Sequence, residues 1–200
     1  GFEPFDNSTT NPSAEILKAF PDNEFPEHSI QKQVLPVDSS SAAEQVIKTL
    51  SEFQPDIIFL LGEASSRPRI SLEKVAINWM DFRIADNTGT QIQDQRIIEE
   101  APDAYFSSLP LRQIYEAVKA RGIPVEISFS AGAYLCNQVF FSTMHALTTL
   151  KPDTVCGFIH VPSLPEQIVM KNLNAASMSK ETSLIAIVVA LQTCLQVLSQ

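Results

Sequence analysis

The feature that most restricts how this chain folds is a run of five apolar residues, Ile57-Ile58-Phe59-Leu60-Leu61, that follows Pro55-Asp56 and stops at Gly62. A strand that is apolar at every position is typical of a sheet covered on both faces. Residues 38–53, just before the run, repeat apolar side chains at helical spacing. Helix and strand therefore alternate here, which favours an α/β fold around a mostly parallel sheet.

The same periodicity, together with the positions of proline and glycine, predicts the remaining elements. Strands are predicted at residues 29–37, 57–61, 73–79, 124–129 and 155–161. Helices are predicted at residues 11–20, 38–53, 111–121, 134–150 and 179–199. Residues 85–100 have weak periodicity and are predicted to form a long loop, a kind of segment that often carries function.

Composition limits the classes of protein to which the chain can belong. Its 200 residues are 44% hydrophobic and 18% charged, which predicts one globular domain spanning residues 1–200. The formal net charge is −9 and no block of like charge is present, so nucleic acid is not an expected partner. Residues 1–5 resemble the exit from a buried strand, so we expect that a short N-terminal strand is lacking from this sequence.

Cysteine content and the lengths of the apolar runs bear on location. Cys136, Cys156 and Cys194 form neither a CxxC pair nor a Cys/His metal spacing, so neither a disulfide framework nor a metal site is predicted. The longest uninterrupted apolar runs, 57–61 and 184–191, fall well short of the about 20 residues that a membrane span needs. The sequence therefore predicts a cytoplasmic protein without a membrane partner.

Cys136 is the candidate nucleophile, because it lies near the first turn of a helix that follows the segment Ser130-Ala131-Gly132. Backbone N–H groups and the helix dipole stabilise a thiolate at such a position. A lone cysteine is also a common small core residue, so this reading needs a second group to support it.

Three histidines could serve as the base that activates a thiol. His145 lies nine residues along the same helix, about 13.5 Å away and on the opposite face, so it cannot contact Cys136. His28 lies in a polar stretch, which is typical of a solvated side chain. His160 ends the apolar run 155–159, and the carboxyl ends of strands are where α/β folds form their sites. His160 is therefore the favoured base, and a hydrogen-bonded core histidine is the alternative.

A third group must hold the imidazole in the productive tautomer. Glu73, at the start of a predicted strand, and Asp86, in the long loop, could both do so. Their spacing in the chain does not decide between them, and each could equally be a solvated surface carboxylate.

Four stretches of the sequence taken together resemble the pyroglutamyl peptidase I family of cysteine peptidases. These stretches, in chain order, are Gly1-Phe2-Glu3-Pro4-Phe5 followed by Asn11-Pro12-Ser13, Leu72-Glu73-Lys74-Val75-Ala76-Ile77-Asn78, Ser130-Ala131-Gly132-Ala133-Tyr134-Leu135-Cys136-Asn137, and residues 157–167 around His160. The order Glu, Cys, His and the spacings of 63 and 24 residues also agree with the family. The resemblance covers essentially the whole chain.

The resemblance implies a role for each candidate. Cys136 would be the nucleophile, His160 the general base and then acid, and Glu73 the group that orients His160, with Asp86 as a supporting residue. The implied fold is a three-layer α/β/α sandwich with a mixed, mostly parallel central sheet. The implied reaction hydrolyses the amide after an N-terminal pyroglutamate through a thioester, without metal or organic cofactor.

The resemblance also implies a substrate pocket and an assembly. Pyroglutamate is a flat, neutral lactam, so its pocket should be small and largely apolar, with a few amide partners. The residues expected to bind it are Phe2, Phe5, Glu63, Arg83, Ile84, Tyr134 and Leu135. Pyroglutamyl peptides are the expected partners, and a homodimer or homotetramer is expected because the family tends to form them.

The sequence departs from the family pattern at two places. A turn that is GQAGGR-like in the family is Gly62-Glu63-Ala64-Ser65-Ser66-Arg67 here, and Gln138 stands where histidine is common. Serine would strain any backbone there that needs a positive φ. These departures motivate an alternative, an inactive family member that acts as a binding module. A thiol redox protein is a weaker alternative, because Cys136 has no resolving cysteine beside it.

Overall fold

A computed structural model describes residues 1–65 and 67–199 of the chain. The helices are α1 (Pro12–Ala19), α2 (Ala42–Phe53), α3 (Leu111–Ala120), α4 (Leu135–Leu150), α5 (Pro165–Lys171) and α6 (Lys180–Leu198). The strands are β1 (Ile57–Glu63), β2 (Ile70–Glu73), β3 (Val75–Ile77), β4 (Ala104–Phe106), β5 (Val125–Ser128) and β6 (Val155–Val161). A short 3₁₀ turn occupies Asp22–Glu24.

Capping side chains set the starts of two helices where the sequence predicts them. The side chain of Asn11 accepts a hydrogen bond from the backbone of Ser13, and Pro12 occupies the first turn of α1. At the other end of the chain, the Ser179 side chain accepts from the backbone of Thr182 and begins α6. These contacts satisfy backbone N–H groups that a helix leaves unpaired.

The central sheet is mixed, with the strand order β1-β6-β2-β5 among the described residues. β1 pairs with β6 in parallel, β2 pairs with β5 in parallel, and β2 pairs with β6 antiparallel. β3 and β4 form a separate antiparallel pair. The predicted mixed, mostly parallel sheet is confirmed.

Helices cover both faces of this sheet, and each face has its own apolar core. One core joins α2 and α4 to the sheet through residues such as Leu50, Phe140 and Phe158. The other joins α1, α3 and α6 to the sheet through residues such as Ile114 and Ile159. Burial of apolar surface on both faces stabilises the three-layer sandwich, at roughly 25 cal/mol per Å² removed from water.

Two strand predictions are wrong. Residues 29–37 form no strand, and only an isolated parallel bridge joins Leu35 to Phe2. Residues 73–79 are not one strand either, since Glu73 ends β2 and Val75 begins β3 in the other sheet. Apolar periodicity alone cannot show that a chain changes sheets between two residues. The prediction also missed β4 and α5, which are short.

α6 and the free edge of β1 flank a cavity. Averaged over 18 residues, α6 has a mean hydropathy of 1.7 and is long and apolar enough to cross a membrane, which the count of uninterrupted runs had missed. By length and composition, a core helix of a soluble protein meets the same criterion, and α6 packs against α1 and α3 here. A cavity of about 670 Å³ lies between β1, α6 and residues 27–33. None of the predicted site residues lines it.

Candidate active site

Strand alternation places the candidate residues on one face of the sheet. Successive side chains point to opposite faces. The residues just before Gly62, Glu73 and His160 belong to the core under α1, α3 and α6; they are Leu61, Leu72 and Ile159. Gly62, Glu73 and His160 therefore face α4, the helix that carries Cys136. In the register of the parallel pair β1 and β6, Gly62 and His160 are partners.

His160 and Glu73 are joined by a short hydrogen bond in the buried centre of the sheet. His160 Nδ1 lies 2.7 Å from Glu73 Oε1, and the Glu73 side chain is 0% exposed. Of the two carboxylates that the sequence left open, the structure brings Glu73, and not Asp86, to the imidazole. A carboxylate accepts a hydrogen bond, so Nδ1 carries the proton and Nε2 is left with its lone pair.

Cys136 lies in the first turn of α4, and its sulfur lies over Gly62. A methyl group built on Gly62 would lie 2.9 Å from Cys136 Sγ and 2.7 Å from the Phe158 ring, so only glycine fits at this position. The Phe158 ring is also next to the imidazole, with its centroid 4.7 Å from that of His160. Sγ thus reaches the sheet at the residue whose register partner is His160. Cys136 as a whole residue is half-buried.

The resting thiol is protonated at neutral pH. Burial is the largest cause that raises the pKa of Cys136, followed by the charges of Glu73 and Glu63, and together they raise it to about 12. A preformed thiolate, as a helix N-terminus alone would favour, is therefore not the resting state. Attack by sulfur requires that its proton leaves during the same step.

Aromatic side chains border the site on the side of the loop 82–86. The Tyr134 ring lies 4.7 Å from Phe82 and 6.3 Å from Phe5, measured between centroids. Burial, Asp86 and Cys136, in that order, raise the pKa of the Tyr134 phenol to about 12, while the opposing charge of Arg83 is smaller. These groups form an apolar wall beside the thiol.

The remaining predicted binding residues differ in their surroundings. The side chains of Phe2 and Leu135 are buried in the core, Arg83 is exposed, and Ile84 is half-buried. Glu63 accepts a 2.6 Å hydrogen bond from Ser163 Oγ and a 3.3 Å one from Gln167 Nε2. That these residues bind substrate stays a prediction. Within residues 1–65 and 67–199, no group of three His, Cys, Asp or Glu residues could hold a metal ion.

The profile of the pyroglutamyl peptidase family matches residues 1–197. The chain belongs to this family. Its pyrrolidone-carboxylate peptidase relative from Pyrococcus furiosus is 42% identical over 199 residues, which cover 98% of this chain and 96% of the relative. The relative of the same name from Vibrio vulnificus is 41% identical over 196 residues, which cover 98% of this chain and 91% of the relative.

Solved structures of the pyroglutamyl peptidase family agree with the fold. A variant of pyrrolidone carboxyl peptidase from P. furiosus matches with a TM-score of 0.94 at 42% identity. That match covers 99% of this chain and 97% of the solved one. The three-layer α/β fold described above is therefore that of the pyroglutamyl peptidases.

The turn at residues 62–67 departs from the family pattern, and the structure describes all of it except residue 66. Ser65 does not have a positive φ, so serine causes no strain of that kind there. Ser66, the other departure from glycine, lies outside the described residues. Gln138, the departure outside this turn, is buried and donates a 2.8 Å hydrogen bond to the Ser39 carbonyl. It thereby ties α4 to the start of α2.

Asp86 organises the loop rather than the imidazole. It accepts hydrogen bonds from the backbone and hydroxyl of Ser39 and Thr88, and from the backbone of Thr90. Burial alone would raise its pKa, but the bonds from Thr88, Ser39 and Thr90 outweigh it and lower the pKa to about 2. Asp86 thus fixes residues 85–90 against Ser39, which precedes α2. The Tyr134 hydroxyl donates a 3.3 Å hydrogen bond to the Ala85 carbonyl in the same loop.

Replacing Glu63 by glutamine should make the thiol more reactive at neutral pH. The Glu63 charge raises the pKa of Cys136, so its removal lowers that pKa and increases the thiolate fraction. Below the pKa, the thiolate fraction rises tenfold for each unit by which the pKa falls, and the alkylation rate rises somewhat less because a less basic thiolate is a weaker nucleophile, so we expect a rise of about two- to tenfold at pH 7. The measurement is the rate of iodoacetamide modification against pH.

The rate reports on Cys136 because Cys156 and Cys194 are buried. Glu166→Gln is the matched control: Glu166 is exposed on α5, precedes the Gln167 that bonds to Glu63, and is not among the groups that shift the pKa of Cys136. An unchanged alkylation profile in Glu63→Gln, or an equal change in Glu166→Gln, would contradict the assigned electrostatic role.

Proposed function

We propose that Cys136, His160 and Glu73 together carry out the reaction of this pyroglutamyl peptidase. The protein is a cysteine exopeptidase that hydrolyses the amide bond after an N-terminal pyroglutamate. The observation that carries the proposed roles is the 2.7 Å hydrogen bond between His160 Nδ1 and Glu73 Oε1 on the face of the sheet that Cys136 Sγ contacts.

The acylation step follows from the protonation states above. His160 Nε2 takes the proton of the Cys136 thiol as Sγ forms a bond to the pyroglutamyl carbonyl carbon. Backbone N–H groups at the start of α4 stabilise the negative oxygen that develops in this mechanism. The carbon–nitrogen bond then breaks, His160 gives its proton to the leaving amine, and a thioester remains on Cys136.

Deacylation repeats the same proton transfers with water. His160 Nε2 accepts a proton from water as the water oxygen attacks the thioester carbonyl. The carbon–sulfur bond breaks, the thiol regains its proton from His160, and pyroglutamic acid is released. Glu73 remains an anion throughout and stabilises the imidazolium in each step.

The pocket residues support recognition of the lactam ring. We propose that Phe5 and Tyr134, whose rings lie 6.3 Å apart, enclose the flat ring, with Phe2, Ile84 and Leu135 behind or beside them. We further propose that Glu63 and Arg83 lie near the substrate's polar groups. A homo-oligomer, a cytoplasmic location and the absence of nucleic-acid and membrane partners stay predictions.

Hydrolysis of a fluorogenic pyroglutamyl amide tests the function, with the prolyl amide as the matched comparison. The two differ by the lactam oxygen and by the charged ring nitrogen of proline, which a buried apolar recess disfavours. A site that bonds a substrate group rejects an analogue without it by large factors, so kcat/KM should favour the pyroglutamyl substrate by at least about 100-fold. Equal turnover of the two amides, or none of either, would contradict the proposal.

The inactive binding module is the other reading of the departures at Glu63 to Ser66. It predicts that pyroglutamyl peptides bind without turnover. The hydrogen-bonded His160 and Glu73 pair favours the enzyme instead. No second function is proposed.

A further inference from the structure

Glu73 has an unusual environment for a carboxylate. Its side chain is 0% exposed, and both of its hydrogen bonds go to one oxygen, Oε1. The donors are His160 Nδ1 at 2.7 Å and Arg67 Nη1 at 2.6 Å. Its other oxygen, Oε2, is buried without a hydrogen-bond partner among residues 1–65 and 67–199. A buried carboxylate is costly to keep ionised unless a cation pairs with it. Arg67 is the permanently charged partner here.

Arg67 also reaches the segment that leads to the nucleophile. It lies in the turn between β1 and β2, and its second terminal nitrogen donates a 2.7 Å hydrogen bond to the Ser130 carbonyl. Nη1 donates a further 3.2 Å bond to Ser128 Oγ. Ser128 ends β5, and Ser130 lies in the loop that enters α4 just before Cys136. The guanidinium group thus joins the orienting carboxylate to the loop that positions the thiol.

We propose that Arg67 is a positioning residue of the peptidase reaction, acting through Glu73 and the Ser130 carbonyl. Its charge keeps Glu73 ionised, so that His160 holds its proton on Nδ1 and presents an unprotonated Nε2 to the thiol. Its planar guanidinium group donates to Glu73 and to the Ser130 carbonyl at the same time, a geometry that lysine cannot reproduce. The inference rests on the peptidase function proposed above and adds a fourth residue to it.

Other charged and titratable groups surround this pair without replacing Arg67. They are the Cys136 thiol on α4, the Glu63 carboxylate on β1, the amino group of Gly1, and Lys74, which follows β2. The Lys74 ammonium is directed over the Phe106 ring, 5.6 Å from its centroid, and the Gly1 nitrogen bonds to the Gln33 carbonyl. Besides His160, Arg67 is the ion-pair partner of Glu73 among the described residues.

Loss of the Arg67 charge is expected to shift the pH dependence of kcat/KM in one direction. The catalytically competent form has neutral His160 beside anionic Glu73, and it arises when the pair releases one proton. Without the neighbouring cation, that release leaves an uncompensated negative charge in a buried site. The proton is then held more tightly, and the acid limb of kcat/KM moves to higher pH.

Three variants, assayed on a pyroglutamyl amide from pH 5 to 9, test this inference. Arg67→Gln should lower kcat/KM at pH 7 by about 10- to 100-fold, through kcat rather than KM. Its acid limb should move up by about one pH unit. Arg67→Lys should have an acid limb near that of the wild type, but its kcat should be lower than that of the wild type. Arg69→Gln, which removes a half-exposed arginine whose partner Glu126 is 3.9 Å away, is the matched control and should change neither.

A measurement that does not need turnover separates this inference from the peptidase function. The pKa of the His160 imidazole, followed by NMR of its ring nitrogens, should be higher in Arg67→Gln than in the wild type. Failure of the wild type to hydrolyse the amide would overturn the function, whereas the titration would still decide the role of Arg67. A loss of activity that is equal at every pH, with an unchanged His160 titration, would show a merely structural arginine and overturn the inference.

Discussion

Replacement of Cys136 by serine should lower kcat/KM for a pyroglutamyl amide by at least about 10³-fold. A hydroxyl group is a weaker nucleophile than a thiol and holds its proton more tightly. The position of the His160 imidazole also suits a sulfur atom, whose bond to Cβ is longer than that of an oxygen atom. The reaction is measured by release of the fluorescent amine, and covalent trapping by mass spectrometry should detect a thioester in the wild type alone.

The thermal unfolding temperature of Cys136→Ser should stay close to that of the wild type, because serine has nearly the shape of cysteine and Cys136 is a half-buried residue outside the apolar core. Cys194→Ala is the matched control, since Cys194 lies on α6 and is buried in the core on the opposite face of the sheet from Cys136. It should retain turnover within about twofold per active molecule. Full activity in Cys136→Ser would exclude Cys136 as the nucleophile.

Replacement of Glu73 by glutamine should reduce kcat by about 10³- to 10⁴-fold with little change in KM. The amide has an N–H group where the carboxylate has an acceptor, so it can turn the imidazole to the tautomer with a proton on Nε2. That tautomer cannot accept the thiol proton. The change also leaves the Arg67 guanidinium, which now pairs with Glu73 at 2.6 Å, without its anion.

Glu126→Gln provides the comparison for this variant. Glu126 on β5 also accepts a hydrogen bond from a strand side chain, Ser71 Oγ at 2.8 Å, but it contacts neither His160 nor Arg67. Its replacement should change kcat by less than about threefold. If Glu73→Gln kept more than a tenth of wild-type kcat, Glu73 would not be the group that orients His160.

Much of the architecture could be predicted from periodicity, because long apolar repeats carry their own signal. The strand at residues 155–161 has the bounds that the sequence predicts, and α3, α4 and α6 differ from their predictions by one or two residues. Short elements gave no such signal, which is why β4 and α5 were missed. The break between β2 and β3 after Glu73 depends on tertiary pairing, with β6 on one side and β4 on the other.

The residues of the candidate site likewise divide into those with a local signal in the sequence and those whose role depends on tertiary contacts. Cys136 and His160 could be selected from local features, a helix start and a strand end, but Glu73 and Asp86 could not be separated until the register between β2 and β6 was known. The role of Arg67 could not be predicted either: Glu73 is only six residues away, but its other partners, Ser128 and Ser130, lie more than 60 residues away in sequence. Contacts of that range depend on the fold rather than on any motif.

Because the site depends on the register between β1 and β6, the activity regained after refolding reports whether these two strands have paired correctly. A slip of one residue would turn the imidazole of His160 toward α6 and bring Ile159 or Val161 under the sulfur, while leaving helix content nearly unchanged. Recovery of hydrolysis after denaturation would therefore count only those molecules whose central strands have aligned correctly. Circular dichroism on the same sample would also count misaligned ones, so the gap between the two signals would measure mispairing during refolding.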